Sequence, residues 1–374
     1  MKACVIQNFT NAGGLQRVGI AVIESLNQLG FEVHLCSLSP LNKDIIKCSF
    51  GKELQVSGFK IPRLVSGIPE CDLLRSIFVN VKPAVDADLY INTMAYSFPF
   101  IKPDKEGSLI MYLGRVPALP IDSDRKDIHY LKKTFGRMLN PLVIKRLDKI
   151  LERTGIIATS NYVRNSLLDR WKVNAEVIYP PVDVDQYKCT IEDILRKDVK
   201  SIALVGRFEP FKRFETGILV AEKIDDCELH ILGGRENDTY LEFIKSIIRE
   251  SSASGRIKLY MQAPLEERAI VLRGCGVYLH PARDEDFGIS IVEAMAAGCI
   301  PIVHNSGGPR EFVPEKWRYD SFEECLTKVR EALRASLEER LSMIRMAEKF
   351  HESYFKEALT RFINKYLVSP EMIK

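Results

Sequence analysis

The chain alternates short, wholly apolar runs with longer stretches whose apolar positions recur every three or four residues. The two periods predict different elements. Residues 2–9 read as a buried strand. Residues 14–29 form an amphipathic helix with Leu15, Val18, Val22, Leu26 and Leu29 on one face, and Gly30 stops it. Residues 33–38 are the next strand, and strand-like runs recur at 89–93, 109–113, 156–159 and 177–178. A second series starts at 202–205 and continues at 228–232, 257–260, 277–280 and 299–304. Helices are expected between these at 241–250, 265–273 and 290–297. Strands and helices alternating in this way build βαβ units and parallel sheets. The expected fold is therefore α/β, with two doubly wound, Rossmann-like domains. Between the two series, the run YPPVDVDQY at 179–187 is stiffened by two prolines and places a domain boundary at 182/183. Residues 321–368 are almost wholly helical in pattern, with charged faces.

Candidate chemistry concentrates at 276–311. There a strand delivers a polar loop (281–286), a Phe287-Gly288 turn and a helix closed by Gly298. Ligands of parallel sheets bind at the carboxyl ends of the strands, where this loop lies. Glu285 and Glu293 frame it, with seven residues between them. Between the two, Phe287, Gly288 and Ile289 offer backbone N–H groups at a helix N-terminus, suited to a phosphate or a polarised sugar hydroxyl. Glu293 can accept two hydroxyl hydrogen bonds, as a ribose supplies, and Glu285 can do the same for a second polyol. Each carboxylate also has a plainer reading. Ser290-x-x-Glu293 is a capping box pattern, and Glu285 could be a solvated loop acid.

Two more segments fit a phosphate-bearing ligand. The strand at 202–205 leads into Gly206, Arg207 and Lys212. Arg207 can hold a diphosphate through a forked pair of hydrogen bonds and Lys212 as a point charge, although loop cations are usually just solvated. Gly13 and Gly14 open the first helix and let the backbone approach a phosphate or sugar, or else make a plain βα turn.

The run Glu285-x7-Glu293 with FG inside it, EAMAAG at its end and GGP-x-E at Gly307, Gly308, Pro309 and Glu311 resembles glycosyltransferase family 4. GGLQRV at 13–18, the GR-x4-K pattern from Gly206 to Lys212 and PPVD at 180–183 are similar to the family as well. The resemblance implies a retaining enzyme of the GT-B fold, its two domains facing across a cleft. Residues 1–182 would present the acceptor and 183–349 would bind a nucleoside-diphosphate sugar. Residues 350–374 would form a helix crossing back to the first domain. It implies donor-binding roles for Gly13, Gly14, Gly206, Arg207, Lys212, Glu285, Phe287, Gly288, Ile289 and Glu293. Arg207, Lys212 and Glu285 are the implied catalytic residues, the two cations meeting the negative charge that builds on the diphosphate. With those cations present, no metal and no other cofactor is expected. The DEDFG and EAMAAG runs and the PPVD linker look most like mannosyltransferases that extend lipid-linked oligosaccharides. They point to GDP-mannose as donor and to a polyprenyl-linked or saccharide acceptor. A sugar-nucleotide epimerase of the same fold, or a non-catalytic nucleotide-sugar-binding homologue, would keep the same pocket. Two departures stand out. The histidine that many members carry after a first-domain strand has Gly114 at about its place, and after Glu311 the chain goes quickly into helices instead of an extended glycine-rich turn.

Composition narrows the rest. At 374 residues, 46% hydrophobic and 28% charged, the chain is an ordinary globular protein large enough for two domains. A net charge of +3 does not call for nucleic acid. Nine cysteines include no C-x-x-C pair, and Cys4, Cys36, Cys227 and Cys299 sit in apolar runs, which suits reduced thiols in the cytoplasm. No signal peptide is visible, and no apolar run approaches the ~18 residues needed to span a bilayer. The tract at 131–153 carries seven Lys/Arg against two acids and is a candidate for peripheral contact with an anionic membrane surface. A core-facing helix with a solvated basic face is the commoner explanation of such a tract. A nicotinamide dehydrogenase is disfavoured, because Gly13, Gly14 and Gly19 have the wrong spacing and the second strand ends without an acid. D-x-D pairs at Asp86/Asp88, Asp122/Asp124, Asp183/Asp185 and Asp284/Asp286 are too frequent to specify a metal site.

Overall fold

The computed structural model describes residues 1–9, 13–37, 40–60, 85–94, 109–114, 154–234 and 237–368. The chain divides into two units, one formed by Met1–Tyr179 with Phe355–Lys374 and the other by Pro180–Tyr354.

The first unit opens with β1 (Lys2–Ile6), α1 (Gly14–Gln28), β2 (Glu32–Cys36), α2 (Lys43–Phe50) and β3 (Gly58–Lys60). It continues through β4 (Leu89–Asn92), β5 (Leu109–Leu113), β6 (Thr154–Ala158), α3 (Asn161–Trp171) and β7 (Glu176–Val177). The strands are parallel in the order β3-β2-β1-β4-β5-β6-β7. β4 and β5 are buried at every residue, as a parallel sheet covered on both faces requires of its central strands.

The second unit begins with α4 (Val184–Tyr187), α5 (Ile191–Leu195), β8 (Asp198–Arg207), α6 (Phe214–Lys223) and β9 (Glu228–Gly234). Then come α7 (Asp238–Glu250), β10 (Ile257–Met261), α8 (Leu265–Gly274), β11 (Cys275–His280), α9 (Ile289–Ala296) and β12 (Ile300–His304). It ends with β13 (Arg318–Tyr319), α10 (Phe322–Ala332) and α11 (Leu337–Ala347). Its parallel sheet runs β10-β9-β8-β11-β12-β13. Strand order reverses between β8 and β11, which makes the gap between their carboxyl ends the topological switch point where such sheets take ligands.

Local signals explain most boundaries. α9 ends in a Schellman motif: Gly298, at φ +73, donates to the Met295 carbonyl, and Cys299 donates to that of Ala294. The carbonyls at the end of α8 are capped by Lys197, whose buried Nζ donates to Leu272, Arg273 and Cys275. β8 is longer than its apolar core at 202–205, because ladder partners on β11 and β9 extend it to Asp198 and Arg207. β3 and β13 are short edge strands with no apolar run of their own, formed by pairing to β2 and β12. Cys4, Cys36, Cys227 and Cys299 are buried free thiols.

The last helix, α12 (Glu352–Val368), carries Phe355, Leu359, Phe362, Ile363 and Tyr366 at helical spacing, all buried in the first unit's core. Phe355 meets Tyr112 edge-on at 5.8 Å between ring centroids. Gly155 on β6 leaves room for the rings of Phe362 and Tyr366. Where the chain enters and leaves the second unit, Val182 N–H donates to the Phe350 carbonyl and Glu352 N–H donates to that of Val182, each at 3.0 Å. Among the described residues no helix is long and apolar enough to cross a membrane. The basic tract at 131–153 and the pair Asp122/Asp124 lie outside the described residues.

Because α12 closes one face of the first unit's core, Phe362→Ala should destabilise that unit by about 3–5 kcal/mol, read as a lowered midpoint in denaturant unfolding.

Candidate functional site

Two loops meet at the switch point. After β8, a tight turn over Pro210–Lys212 is held by Lys212 N–H donating to the Glu209 carbonyl at 2.9 Å. Arg213, at φ +54, then redirects the chain into α6. After β11, the loop 281–288 leads to α9. Lys212 Nζ lies 2.6 Å from Glu285 Oε2, and their side chains are 15% and 14% exposed. His280 Nε2 lies 2.9 Å from the same oxygen. Tyr278 points the same way as His280, two residues earlier on β11. Its Oη is 3.4 Å from His280 Nδ1 and 2.8 Å from Ser290 Oγ on α9. A hydrogen-bonded line thus runs Ser290–Tyr278–His280–Glu285–Lys212 through a largely buried site.

Electrostatics fix the charge states along this line. Burial alone would raise the Glu285 carboxyl, but the Lys212 ammonium and the His280 hydrogen bond hold it well below the usual carboxylate range. Burial lowers His280 below its ordinary value and the Lys212 cation pushes the same way, against the pull of Glu285. His280 is therefore a neutral imidazole at pH 7. Facing a carboxylate, its single N–H belongs on Nε2. The Tyr278 phenol is raised by burial and by the nearby Glu293 and Glu285 carboxylates, so it stays protonated.

The loop after β11 owes its shape to its glycines and to a partner loop. Gly288 caps α9 at φ +91, and no side chain caps that helix. Ser290 is already inside the helix and bonded to Tyr278, so the capping box does not form. Glu293 is buried, at 5% exposure. Glu285 is a largely buried ion-pair partner, 14% exposed, not a solvated acid. Gly307, at φ +73, lies so close that a Cβ there would strike the Glu285 backbone, and Gly308 N–H donates to the Glu285 carbonyl at 2.8 Å. Asp284 N–H donates to Ser306 Oγ at 2.8 Å. The GGP segment is thus the floor on which Glu285 rests. The Phe287 ring is core, packed at 5.1 Å on Phe312 and 5.3 Å on Phe350.

Lys212, Glu285, Phe287, Gly288, Ile289 and Glu293 are therefore brought to one place, and Gly206 and Arg207 are the last two residues of β8. Gly13 and Gly14 belong to the other unit, where Gly13 caps α1. Gly114 follows β5 and lies against Leu15 of the same helix. His280, Tyr278 and Ser290 escape a motif reading. The available signal was period-two placement of two polar rings on the strand that precedes Glu285. Among the described residues no three or more His, Cys, Asp or Glu side chains converge as a metal site.

Two outcomes follow for stability. Gly307→Ala should lower it by about 1–3 kcal/mol, seen as a reduced thermal midpoint. Glu285 has a depressed folded-state pKa, so its stabilisation is fully present above its ordinary value near 4.5 and is lost as pH falls below that. Glu285→Gln should flatten that part of the acid unfolding profile.

Comparison with known proteins places these features. Residues 188–349 match the family model of glycosyl transferases group 1. A GDP-Man:Man(3)GlcNAc(2)-PP-Dol alpha-1,2-mannosyltransferase from Xenopus laevis is 29% identical over 259 residues, covering 60% of this chain and 52% of that protein. An alpha-1,3/1,6-mannosyltransferase from Mus musculus is 24% identical, covering 56% of this chain and 58% of its own. The chain spans about half the length of the curated relatives it matches. Among solved structures, Anabaena HepE in complex with UDP-glucose has a TM-score of 0.70 at 14% identity, covering 98% of this chain and all of that one (100%). Sucrose-phosphate synthase from Thermosynechococcus elongatus has a TM-score of 0.73 at 16% identity, covering 99% and 100%. The protein therefore has the two-domain GT-B fold, and its residues 188–349 are a glycosyl transferases group 1 domain.

Proposed function

We propose that the protein is a retaining mannosyltransferase that moves mannose from GDP-mannose to a lipid-linked saccharide. The observation that carries this reading is the meeting of Lys212, Glu285 and the N-terminus of α9 at the switch point of the second unit. The named activities of the Xenopus and mouse relatives give it its sugar, nucleotide and acceptor class.

The chemistry follows from the charges. As the bond between the sugar C1 and the diphosphate oxygen breaks, negative charge grows on the leaving group. Lys212 and Arg207, after and at the end of β8, stabilise it, with backbone N–H groups at Gly288 and Ile289 adding to the field. Glu293 takes the ribose hydroxyls and Glu285 those of the sugar. With Gly114 where a histidine would stand, the acceptor hydroxyl forms the new bond on the same face and gives its proton to the departing phosphate oxygen. The two cations supply the charge stabilisation, so no metal is needed. Association with a membrane surface, where a lipid-linked acceptor would be found, is assigned to the basic tract at 131–153.

The test is binding and slow hydrolysis across GDP-mannose, UDP-glucose and UDP-N-acetylglucosamine, followed by product analysis with lipid-linked saccharides. GDP-mannose should be preferred, and Lys212→Ala and Glu293→Ala should each cut its turnover by at least about tenfold, the loss of one charge-assisted hydrogen bond. Equal use of all three donors, or variants indistinguishable from the parent, would contradict the assignment.

A further inference from the structure

We propose that His280 is a positioning residue that holds the Glu285 carboxylate in place when Lys212 leaves it for the donor diphosphate. This rests on the nucleotide-sugar reading of the site. Lys212 and His280 meet the same oxygen of Glu285, at 2.6 and 2.9 Å, but they differ in what they can do next. Lys212 carries its charge on a flexible four-carbon stem that rises from a three-residue turn. Its ammonium also lies 5.2 Å from the centre of the Phe211 ring, a second face it can rest on. A diphosphate offers it more charge than one carboxylate, so bound donor competes for it. His280 stays where it is. Its side chain is 4% exposed on a central strand, stacked on Tyr278 at 6.1 Å between centroids.

Had Glu285 no other partner, the departure of Lys212 would strand a largely buried carboxylate, which would move or take up a proton. Either change spoils it as an acceptor of sugar hydroxyls. His280 prevents both by donating from neutral Nε2–H throughout. The groups around the carboxylate are Lys212 from the turn after β8, His280 and Tyr278 from β11, and Ser290 and Glu293 from α9 beyond Tyr278. Lys212 is the one cation hydrogen-bonded to Glu285 among the described residues, and the line back through Tyr278 holds the imidazole from behind.

The experiment uses the full chain, with Glu285→Gln, His280→Ala and His280→Gln beside the parent. Imidazole 15N shifts should show His280 as the neutral Nε2–H tautomer. Glu285→Gln should bind GDP several-fold more tightly than the parent, because Lys212 is no longer held back. His280→Ala should bind GDP several-fold more weakly, because Lys212 then leaves the carboxylate without a donor, and should turn over GDP-mannose about 10–100-fold more slowly, the effect of one hydrogen bond to a charged group. The acidic limb of its pH profile should move upward, since a carboxylate that loses a donor protonates at higher pH. His280→Gln, which can present an amide N–H near the position of Nε2, should recover most of the rate and the parent's limb. With a parent that binds GDP, the proposal alone is overturned by an imidazolium or Nδ1–H tautomer or by Glu285→Gln binding GDP no more tightly. It is equally overturned if His280→Gln is as slow as His280→Ala with the limb unmoved. A parent that binds neither GDP nor GDP-mannose overturns the donor reading and, with no diphosphate to compete for Lys212, this proposal too.

Discussion

A carboxylate largely removed from water needs a partner, and in this protein the second unit's ligand-binding end is arranged around one. Glu285 is held by Lys212 from one side of the switch point and by His280 from the strand beneath it. Each element nearby serves that contact. The turn after β8 presents Lys212, and β11 runs far enough to bring His280 under the loop. The glycines at 307 and 308 let a second loop close against the Glu285 backbone. In the proposed function, a charge that satisfies Glu285 is one the donor diphosphate must win.

The scaffold around it is stiff where the chemistry needs it to be. α9 is fixed at its start by Gly288 and at its end by the Schellman turn through Gly298. The ring of Phe287 is anchored between Phe312 and Phe350. The backbone at the start of α9 is thereby held in place. The first unit reuses the same parallel architecture, and its core is closed by α12 from the far end of the chain.

Much of this was legible in the residues. Continuous apolar runs marked the central strands, because a parallel sheet covered on both faces leaves no polar side to alternate with. The edge strands β3 and β13 were not legible, since they exist through pairing and not through their own composition. Glu285, Glu293 and Gly288 were visible as a spaced set, but their environments were not. Ser290-x-x-Glu293 reads as a capping box by spacing. The fold instead starts the helix on glycine, turns Ser290 toward Tyr278 and buries Glu293. His280 was hidden for a related reason. A histidine at a strand end has no motif, and its role appears only when the loop brings Glu285 back over it.

The most direct measurement is a crystal structure with GDP-mannose bound. The geometry predicts Lys212 Nζ about 2.7–3.2 Å from a phosphate oxygen, the diphosphate at the start of α9, and Glu285 still hydrogen-bonded to His280 while facing a sugar hydroxyl. A nucleotide bound elsewhere, or Lys212 remaining on Glu285 with the phosphates unattended, would contradict it.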